Sequence, residues 1–193
     1  MSSTRERILL CSRELVEESD GAAPNMTAIA AAVGISRQAL YLHFPDRVAL
    51  LLALVEYVDE REDLQVGIDA INAAPDAVGK LQAFIEMQAW RNPRIATLGR
   101  ALDHARRSDP SSARAWRDRA DRRLAALTQM TEQLRAEGRL HPSWGLTEGA
   151  MLLSELTSFR VWDDLVIDGK LDPSRYTEII AAAALATLAA PLP

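Results

Sequence analysis

The side chains that could recognise another molecule are concentrated in one short polar segment near the start of the chain. Arg37 and Gln38 lie four and three residues before Tyr41, so on a helix the three share one face. Arginine bonds guanine edges with two parallel hydrogen bonds, glutamine pairs with adenine, and tyrosine donates to phosphate. The chemistry of this face is therefore that of reading a DNA duplex.

Two short apolar helices joined by a glycine must position this face. Asn25 and Ser36 are good N-caps for the first and second helix of the pair, and Gly34 between them accepts the left-handed backbone of a helix end. This spacing predicts a helix-turn-helix, whose second helix enters a major groove. An ordinary helical hairpin with a solvated polar face is the alternative. The positions expected to point inward are Met26, Ile29, Ala30, Val33, Leu40 and Phe44.

The neighbouring segments predict one helix before this pair and a long one after it. Ser3 and Glu6 form a capping-box signature for the first helix, which Gly21 with Pro24 is expected to end. Pro45 fits the first turn of a long apolar fourth helix. His43 and Arg47, just beyond the polar face, are placed to hold a phosphate backbone.

The remainder of the chain also reads as helix, because Ala, Leu, Arg and Glu dominate and no two-residue alternation persists. Glycine and proline residues that interrupt helices divide this part of the chain into five further predicted helices. The fold class is therefore all-α with about nine helices. The predicted breaks between helices lie at Pro75, Pro93, Pro110, Gly138 with Pro142, and Gly169 with Pro173.

Composition bounds the class of protein. The 193 residues are 48% hydrophobic and 25% charged, which suits a globular protein with a full core. A net charge of −5 means that any nucleic-acid contact comes from a local patch. The single cysteine, Cys11, excludes an intramolecular disulfide framework, and no Cys/His cluster suggests a metal. No signal peptide or membrane-spanning run is apparent, so we expect a cytoplasmic protein without cofactors.

The N-terminal segment resembles that of TetR-family transcriptional regulators. The resemblance covers about residues 5–55 and rests on several short motifs in the family's order. The all-helical remainder also suits this family. The matching motifs are Ile29-Ala30, Gly34-Ile35-Ser36, Leu40-Tyr41, His43-Phe44 and Pro45-Asp46-Arg47.

This resemblance implies a DNA-binding domain over residues 1–47 and assigns its contacts. Residues facing DNA or phosphate would be Asn25, Thr27, Ser36, Arg37, Gln38, Tyr41, His43 and Arg47. Two departures from the family pattern affect them. Met26 stands where the family often has a hydroxyl residue, which shifts that phosphate contact to Asn25, Thr27 or backbone amides. Gln38 and Ala39 replace residues common in the recognition helix, so a different operator is expected.

The resemblance also implies that residues 48–193 form a helical domain that dimerises and binds a small effector. Two copies of the recognition helix on half-sites about 34–36 Å apart would read a palindromic double-stranded operator. Apolar stripes near the C-terminus could form a four-helix interface in a homodimer, or could be core within one chain. The interface residues would be Leu152, Leu156, Phe159, Tyr176, Ile179, Ile180 and Ala183.

Aromatic and methionine side chains could line the effector pocket. The predicted lining residues are Phe84, Met87, Trp90, His104, Trp116, Phe159 and Trp162. Plain core for the aromatic stripe and a surface position for His104 are the alternatives. Farther along, Arg117, Arg119, Arg122 and Arg123 fit a solvated helix with ion pairs, but could also meet DNA phosphates or an anionic effector.

We expect a homodimeric repressor that an unknown small molecule releases from its operator. The alternative is a helical effector-binding or scaffold protein without DNA binding. An enzyme is disfavoured, because no nucleophile motif or phosphate loop occurs. The adjacent pair Asp163-Asp164 would also point its two carboxylates about 100° apart on a helix.

Overall fold

The computed structural model describes residues 3–19, 24–61, 63–107 and 109–190, and this part of the chain is all-α as predicted. It holds ten α-helices, of which the ninth is a single turn that continues into a π-helical segment at Asp163–Asp168. The predicted helix end at Gly21 lies outside the described residues. The helices are α1 (Thr4–Glu18), α2 (Met26–Val33), α3 (Arg37–His43), α4 (Arg47–Arg61), α5 (Leu64–Ala73), α6 (Ala77–Ala105), α7 (Pro110–Ala136), α8 (Leu146–Leu156), α9 (Phe159–Trp162) and α10 (Pro173–Leu188).

The chain divides into two compact units. The first comprises residues 1–62 and 97–118, and the second comprises residues 63–96 and 119–193. Both α6 and α7 therefore contribute residues to each unit. The functional boundary expected at residue 47 stays a prediction.

Capping residues fix the ends of the N-terminal helices, as the sequence predicts. The side chains of Ser3, Asn25 and Ser36 accept hydrogen bonds from the backbone N–H three residues on, at 3.1, 2.8 and 3.1 Å. The fourth helix corrects the prediction at Pro45: α4 begins at Arg47, with the Asp46 carboxylate accepting from Ala49 N at 2.7 Å. Asp46 therefore caps α4 by accepting from the amide of its third residue, and Pro45 lies one residue before the cap.

A second correction concerns Pro93, which the sequence suggested as a break between helices. It lies inside α6, whose 29 residues run from Ala77 to Ala105. Proline in a helix interior removes one backbone hydrogen bond. Apolar positions on both sides, among them Ala89, Ile95 and Ala96, are buried, and this burial offsets the missing bond.

The core of the first unit lies among α1, α2, α3 and α4, where α1 contacts both α2 and α4. Ile8, Ile29, Leu40 and Leu54 are each at most 1% exposed. Burying such a side chain contributes about 1.5–3 kcal/mol, so this core can hold even the seven-residue helix α3 in place.

The second unit has its own apolar core, built from residues of α6, α7, α8, the segment after α8, and α10. Leu81, Leu134, Leu153 and Ala184 are completely buried in it. The C-terminal end of α10 is held to the segment before α8, because Trp144 Nε1 donates to Thr187 O at 2.8 Å.

Within the described residues, no single helix has the length and apolar content needed to cross a bilayer. Helices α3 and α4 meet that criterion only when taken together, and the chain bends by 58° between them.

Candidate nucleic-acid interface and effector site

The turn between α2 and α3 is a compact glycine-centred helix end. Gly34 has φ 75° and ψ 36°. Its N–H donates to Ala31 O at 3.1 Å, and Ile35 N donates to Ala30 O at 3.0 Å. This pair of bonds is a Schellman motif, which needs a left-handed residue at its centre. Ser36 then caps α3, so the direction of the recognition helix is set by local backbone chemistry.

Helix α3 has one buried side and one exposed side, as the sequence predicts. Leu40 is 0% and Phe44 2% exposed, and both anchor the helix in the first unit. Arg37 and Gln38 are exposed, and Tyr41 is 40% exposed. The residue types that can read base edges and phosphates therefore share the side of α3 that its own unit leaves uncovered.

Two of these side chains are held together before any ligand arrives. The Arg37 guanidinium carbon lies 5.9 Å from the centre of the Tyr41 ring, within the range of a cation–π contact. Sequence reasoning missed Leu42, which directly follows and is 83% exposed. The sequence already indicated this exposure. Leu40 and Phe44, two positions before and after Leu42, are buried, so Leu42 lies on the opposite side.

The other predicted DNA-contacting residues lie around this face in the same unit. Asn25 and Thr27, at the start of α2, and His43, at the end of α3, are exposed, while Arg47 is half-buried. The Asn25 carboxamide oxygen is used in the helix cap, so its NH₂ group is the part that can donate to phosphate. Hydrogen bonds from Ser112 are the main cause that lowers the pKa of Asp109, and the positive charge of Arg47 is the smallest.

Two arginines connect helices of the first unit to one another. Arg7 Nη2 donates to Val33 O at 3.1 Å, where a cation also suits the negative end of the α2 dipole. Arg61 forms an ion pair with Glu6, which links α4 to α1. These contacts connect α1 to α2 and to α4, the helices whose core also holds α3.

The residues predicted to line an effector pocket are divided between the two units. Phe84, Trp162, Met87 and Phe159 belong to or pack against the core of the second unit. Trp90 also belongs to that unit but is 36% exposed, with Arg94 placed 4.2 Å from the ring centre. The other two, Trp116 and His104, lie in the first unit, and His104 is exposed, as the surface alternative for it predicts.

A group of buried polar side chains in the second unit was not predicted. We call it the buried polar cluster. Asn92 Nδ2 donates to Tyr176 Oη at 3.3 Å and to Thr157 O at 3.4 Å. Arg123 Nη2 donates to Thr157 Oγ1 at 2.7 Å, and its Nε donates to Ser154 Oγ at 3.3 Å. The members of the cluster are Asn92, Thr157 and Tyr176, which are buried, and Arg123, which is half-buried.

Electrostatics within the cluster disfavour the charged form of Arg123. Burial, followed by the positive charges of Arg91 and Arg119, lowers the pKa of Arg123 to about 10, against smaller opposing effects of Glu155 and Tyr176. Burial also raises the pKa of the Tyr176 hydroxyl. At neutral pH Arg123 is still charged and Tyr176 neutral, so the cluster presents cationic and hydroxyl donors together.

The predicted dimer interface needs a correction at two positions. Tyr176 is 1% and Ile180 3% exposed, so both belong to the core of their own chain and offer no surface. The Tyr176 ring packs edge-on against Trp162, with 4.9 Å between ring centres. Of the remaining residues, Ile179 is 36% exposed, and Leu152, Leu156, Phe159 and Ala183 are half-buried. Sequence reasoning missed Met151, which is 55% exposed on α8.

The described residues contain no group of three or more His, Cys, Asp or Glu side chains that could hold a metal ion.

Comparison with known proteins agrees with this architecture. Residues 8–54 match the family model of bacterial regulatory proteins, tetR family. A stretch of 95 residues is 30% identical to the nucleoid occlusion factor SlmA of Shewanella sp. (strain W3-18-1), covering 48% of this chain and 48% of that protein. The chain thus spans about half the length of the curated relatives it matches.

Solved structures extend the likeness to the whole fold. The MbdR regulator from Azoarcus sp. CIB superposes with a TM-score of 0.69 at 22% identity, over 95% of this chain and 97% of that one. AibR, solved in complex with isovaleryl coenzyme A and operator DNA, superposes with a TM-score of 0.70 at 18% identity, over 94% and 97% of the two chains.

The N-terminal segment is therefore similar to that of bacterial regulatory proteins of the tetR family, and the fold of the chain is shared with MbdR and AibR. The match to the family model confirms the resemblance of the N-terminal segment to tetR-family regulators that the sequence motifs indicate.

Proposed function

We propose that this protein is a sequence-specific, DNA-binding transcriptional repressor that acts as a homodimer and is released from its operator by a small-molecule effector. One observation carries the DNA-binding part. The side chains of Arg37, Gln38 and Tyr41 are exposed on the same helix whose Leu40 is completely buried. A short helix anchored on one side and polar on the other is what major-groove reading requires.

Each exposed residue has a task in this proposal. Arg37 and Gln38 read base edges, while Tyr41 and His43 hold phosphate oxygens. Ser36 accepts from Ala39 N in the cap, so its hydroxyl hydrogen can still donate to the DNA backbone. The contact of Arg37 with the Tyr41 ring restricts the guanidinium, which lowers the conformational entropy lost on binding.

Two copies are needed because one reading face discriminates weakly. A good base contact contributes about 1–3 kcal/mol of discrimination between base pairs. Two recognition helices in a symmetric dimer make each contact twice on a palindromic site, which doubles this free energy. We place the dimer contact on the exposed apolar residues of α8 and α10, Met151 and Ile179, together with the half-buried Leu152, Leu156 and Ala183. Helices α8 and α10 contact one another, so these side chains can form one continuous surface.

The effector would bind in the second unit and shift the dimer toward a form whose two recognition helices no longer match the operator. A ligand shifts such an equilibrium only by its differential affinity for the two forms. Among structural neighbours, AibR was solved with isovaleryl coenzyme A and operator DNA, which supports a fold that accommodates both kinds of partner.

Selection of bound DNA from a random pool, using the full chain, tests the proposal. We expect a palindromic consensus. The variants Arg37→Ala and Tyr41→Ala should each weaken binding of the selected site at least about tenfold, since one contact to a charged or base group is lost. Arg107→Ala is the matched control, because Arg107 is exposed on the loop after α6 and has no assigned role in DNA reading.

Two outcomes count against the proposal. A folded protein that selects no sequence would favour the alternative, a helical effector-binding or scaffold protein. Equal loss of affinity in the control and in the α3 variants would mean that α3 is not the reading element.

A further inference from the structure

Leu42 is the most exposed large apolar side chain among the residues that the structure describes, with an exposed fraction of 83%. It occupies the sixth position of the seven-residue helix α3. Single exposed apolar side chains are common on protein surfaces and need no explanation by themselves. The direction of Leu42 on α3 and the residues around it distinguish it from such a side chain.

The Leu42 side chain faces directly away from the side of α3 that anchors the helix. Leu40 and Phe44 are 0% and 2% exposed and lie two positions before and after it. Because successive helical residues turn by about 100°, the mean direction of these two anchors is about 180° from that of Leu42. Leu42 therefore faces whatever molecule approaches α3 from outside the first unit.

The neighbours of Leu42 on this side of α3 are polar. Gln38 lies one helical turn before it and shares its face, and Arg37, Tyr41 and His43 are also exposed. A docking site for an apolar protein surface would have further large apolar side chains beside the leucine. Here the adjacent groups are those that bond base edges and phosphates, so the chemistry of the surroundings favours DNA.

The major groove displays one apolar group that suits a leucine. A leucine side chain neither donates nor accepts hydrogen bonds, so it has nothing to offer a phosphate or the polar edge of a base. The C5-methyl group of thymine projects into the major groove and is contacted there by apolar side chains. Over a cytosine, the same leucine would cover an amino group without bonding it, which is unfavourable.

We infer that Leu42 is a specificity-determining residue that packs on the C5-methyl group of one thymine in each operator half-site. This role rests on the proposed function, because it requires α3 to lie in the major groove. Gln38 and Leu42 are about 6 Å apart along the helix axis, and base pairs are spaced by about 3.4 Å. The thymine therefore lies within about two base pairs of the base that Gln38 reads.

Replacing thymidine by deoxyuridine in the selected operator tests this contact, because deoxyuridine keeps the base pairing and lacks only the methyl group. Each thymine of the half-site is replaced in turn, in one or both half-sites, and affinity is measured by fluorescence anisotropy at constant salt. At one position we expect about fourfold weaker binding per half-site and about fifteenfold for both, the effect of one buried methyl group at each.

Variants of the full chain assign the effect to Leu42. Leu42→Ala should bind the thymidine and deoxyuridine forms of that position equally, while Leu42→Met, which stays apolar and similar in volume, should retain most of the difference. Alanine is a good helix former and Leu42 is exposed, so both variants should fold, which circular dichroism checks. Val66→Ala is the matched control, because Val66 is 68% exposed but lies on α5 in the second unit.

Three results would overturn the inference while leaving DNA binding intact: a selected half-site without thymine, equal affinity for every deoxyuridine site, or an undiminished difference in Leu42→Ala. Weaker self-association of DNA-free Leu42→Ala in sedimentation would instead assign the leucine to a protein contact, and would also overturn it. A folded protein that selects no DNA would overturn this inference and the proposed function together, which keeps the two failures distinct.

Discussion

Replacing Gly34 by alanine should weaken both the first unit and its reading of DNA. The residue has φ 75°, a region that costs an L-amino acid roughly 1–2 kcal/mol. A Cβ built there meets nothing within 4 Å, so no steric clash adds to this cost. Alanine also lowers the entropy of the unfolded chain, which offsets about 0.4–1 kcal/mol. We therefore expect a net loss of about 1 kcal/mol in the free energy of unfolding.

Gly138 provides a matched control for this prediction. It has φ 67°, and a Cβ there also meets nothing within 4 Å. Its helix end has the same two bonds, from Gly138 N to Arg135 O and from Arg139 N to Leu134 O. Gly138→Ala should lower stability by a similar amount. It ends α7 rather than α2, so it should leave operator affinity unchanged.

Urea unfolding followed by far-UV circular dichroism measures the stability change, and fluorescence anisotropy of labelled operator measures DNA binding. Gly34→Asn should be milder than Gly34→Ala, because asparagine tolerates the left-handed region. An alanine variant as stable as the wild type would refute the strain argument. Equal loss of operator affinity in the Gly138 variant would show that the turn before α3 has no special part in orienting it.

Three other perturbations test separate features of the structure. The Tyr57 hydroxyl is buried without a hydrogen-bond partner among the described residues, so Tyr57→Phe should leave the unfolding free energy unchanged or raise it by about 1 kcal/mol. The Asp172 carboxylate accepts from Ser174 and Arg175, which holds its pKa below the usual 3.8. Its stabilising effect is therefore present above about pH 3.8 and is lost as the pH falls through the lower folded value, so Asp172→Asn should flatten the acid limb of a stability profile. Ile179→Glu places a charge on the proposed dimer surface and should shift sedimentation toward monomer, whereas unchanged sedimentation would move the interface elsewhere.

Local chemistry explains why the N-terminal prediction was accurate. A cap at Asn25 or Ser36 and a left-handed glycine at Gly34 depend on bonds between residues three to five positions apart. The inward and outward sides of α3 follow from the same short spacing, which fixes Leu40 and Arg37 on different sides. These features are visible in any stretch of sequence long enough to hold them.

In the long helices, local sequence signals predicted the wrong helix end and left the partner of an apolar face open. The proline at position 93 disfavours helix by itself, yet α6 continues through it, because apolar side chains on both sides are buried. Apolar periodicity also placed Tyr176 and Ile180 on a face of α10 without saying whether that face meets its own chain or a second copy. Their burial within one chain was decided by packing.

The sequence alone determined the fold class, the helix caps, the turn and the exposed polar face of α3, because each depends on neighbours within about one or two helical turns. Only the tertiary structure brought the buried polar cluster together. Asn92 and Tyr176 are 84 positions apart and Asn92 and Thr157 are 65 apart, so no periodicity connects them. Arg123 resembled its solvated neighbours in the sequence, and folding alone placed it beside α8, where Thr157 and Ser154 accept its hydrogen bonds.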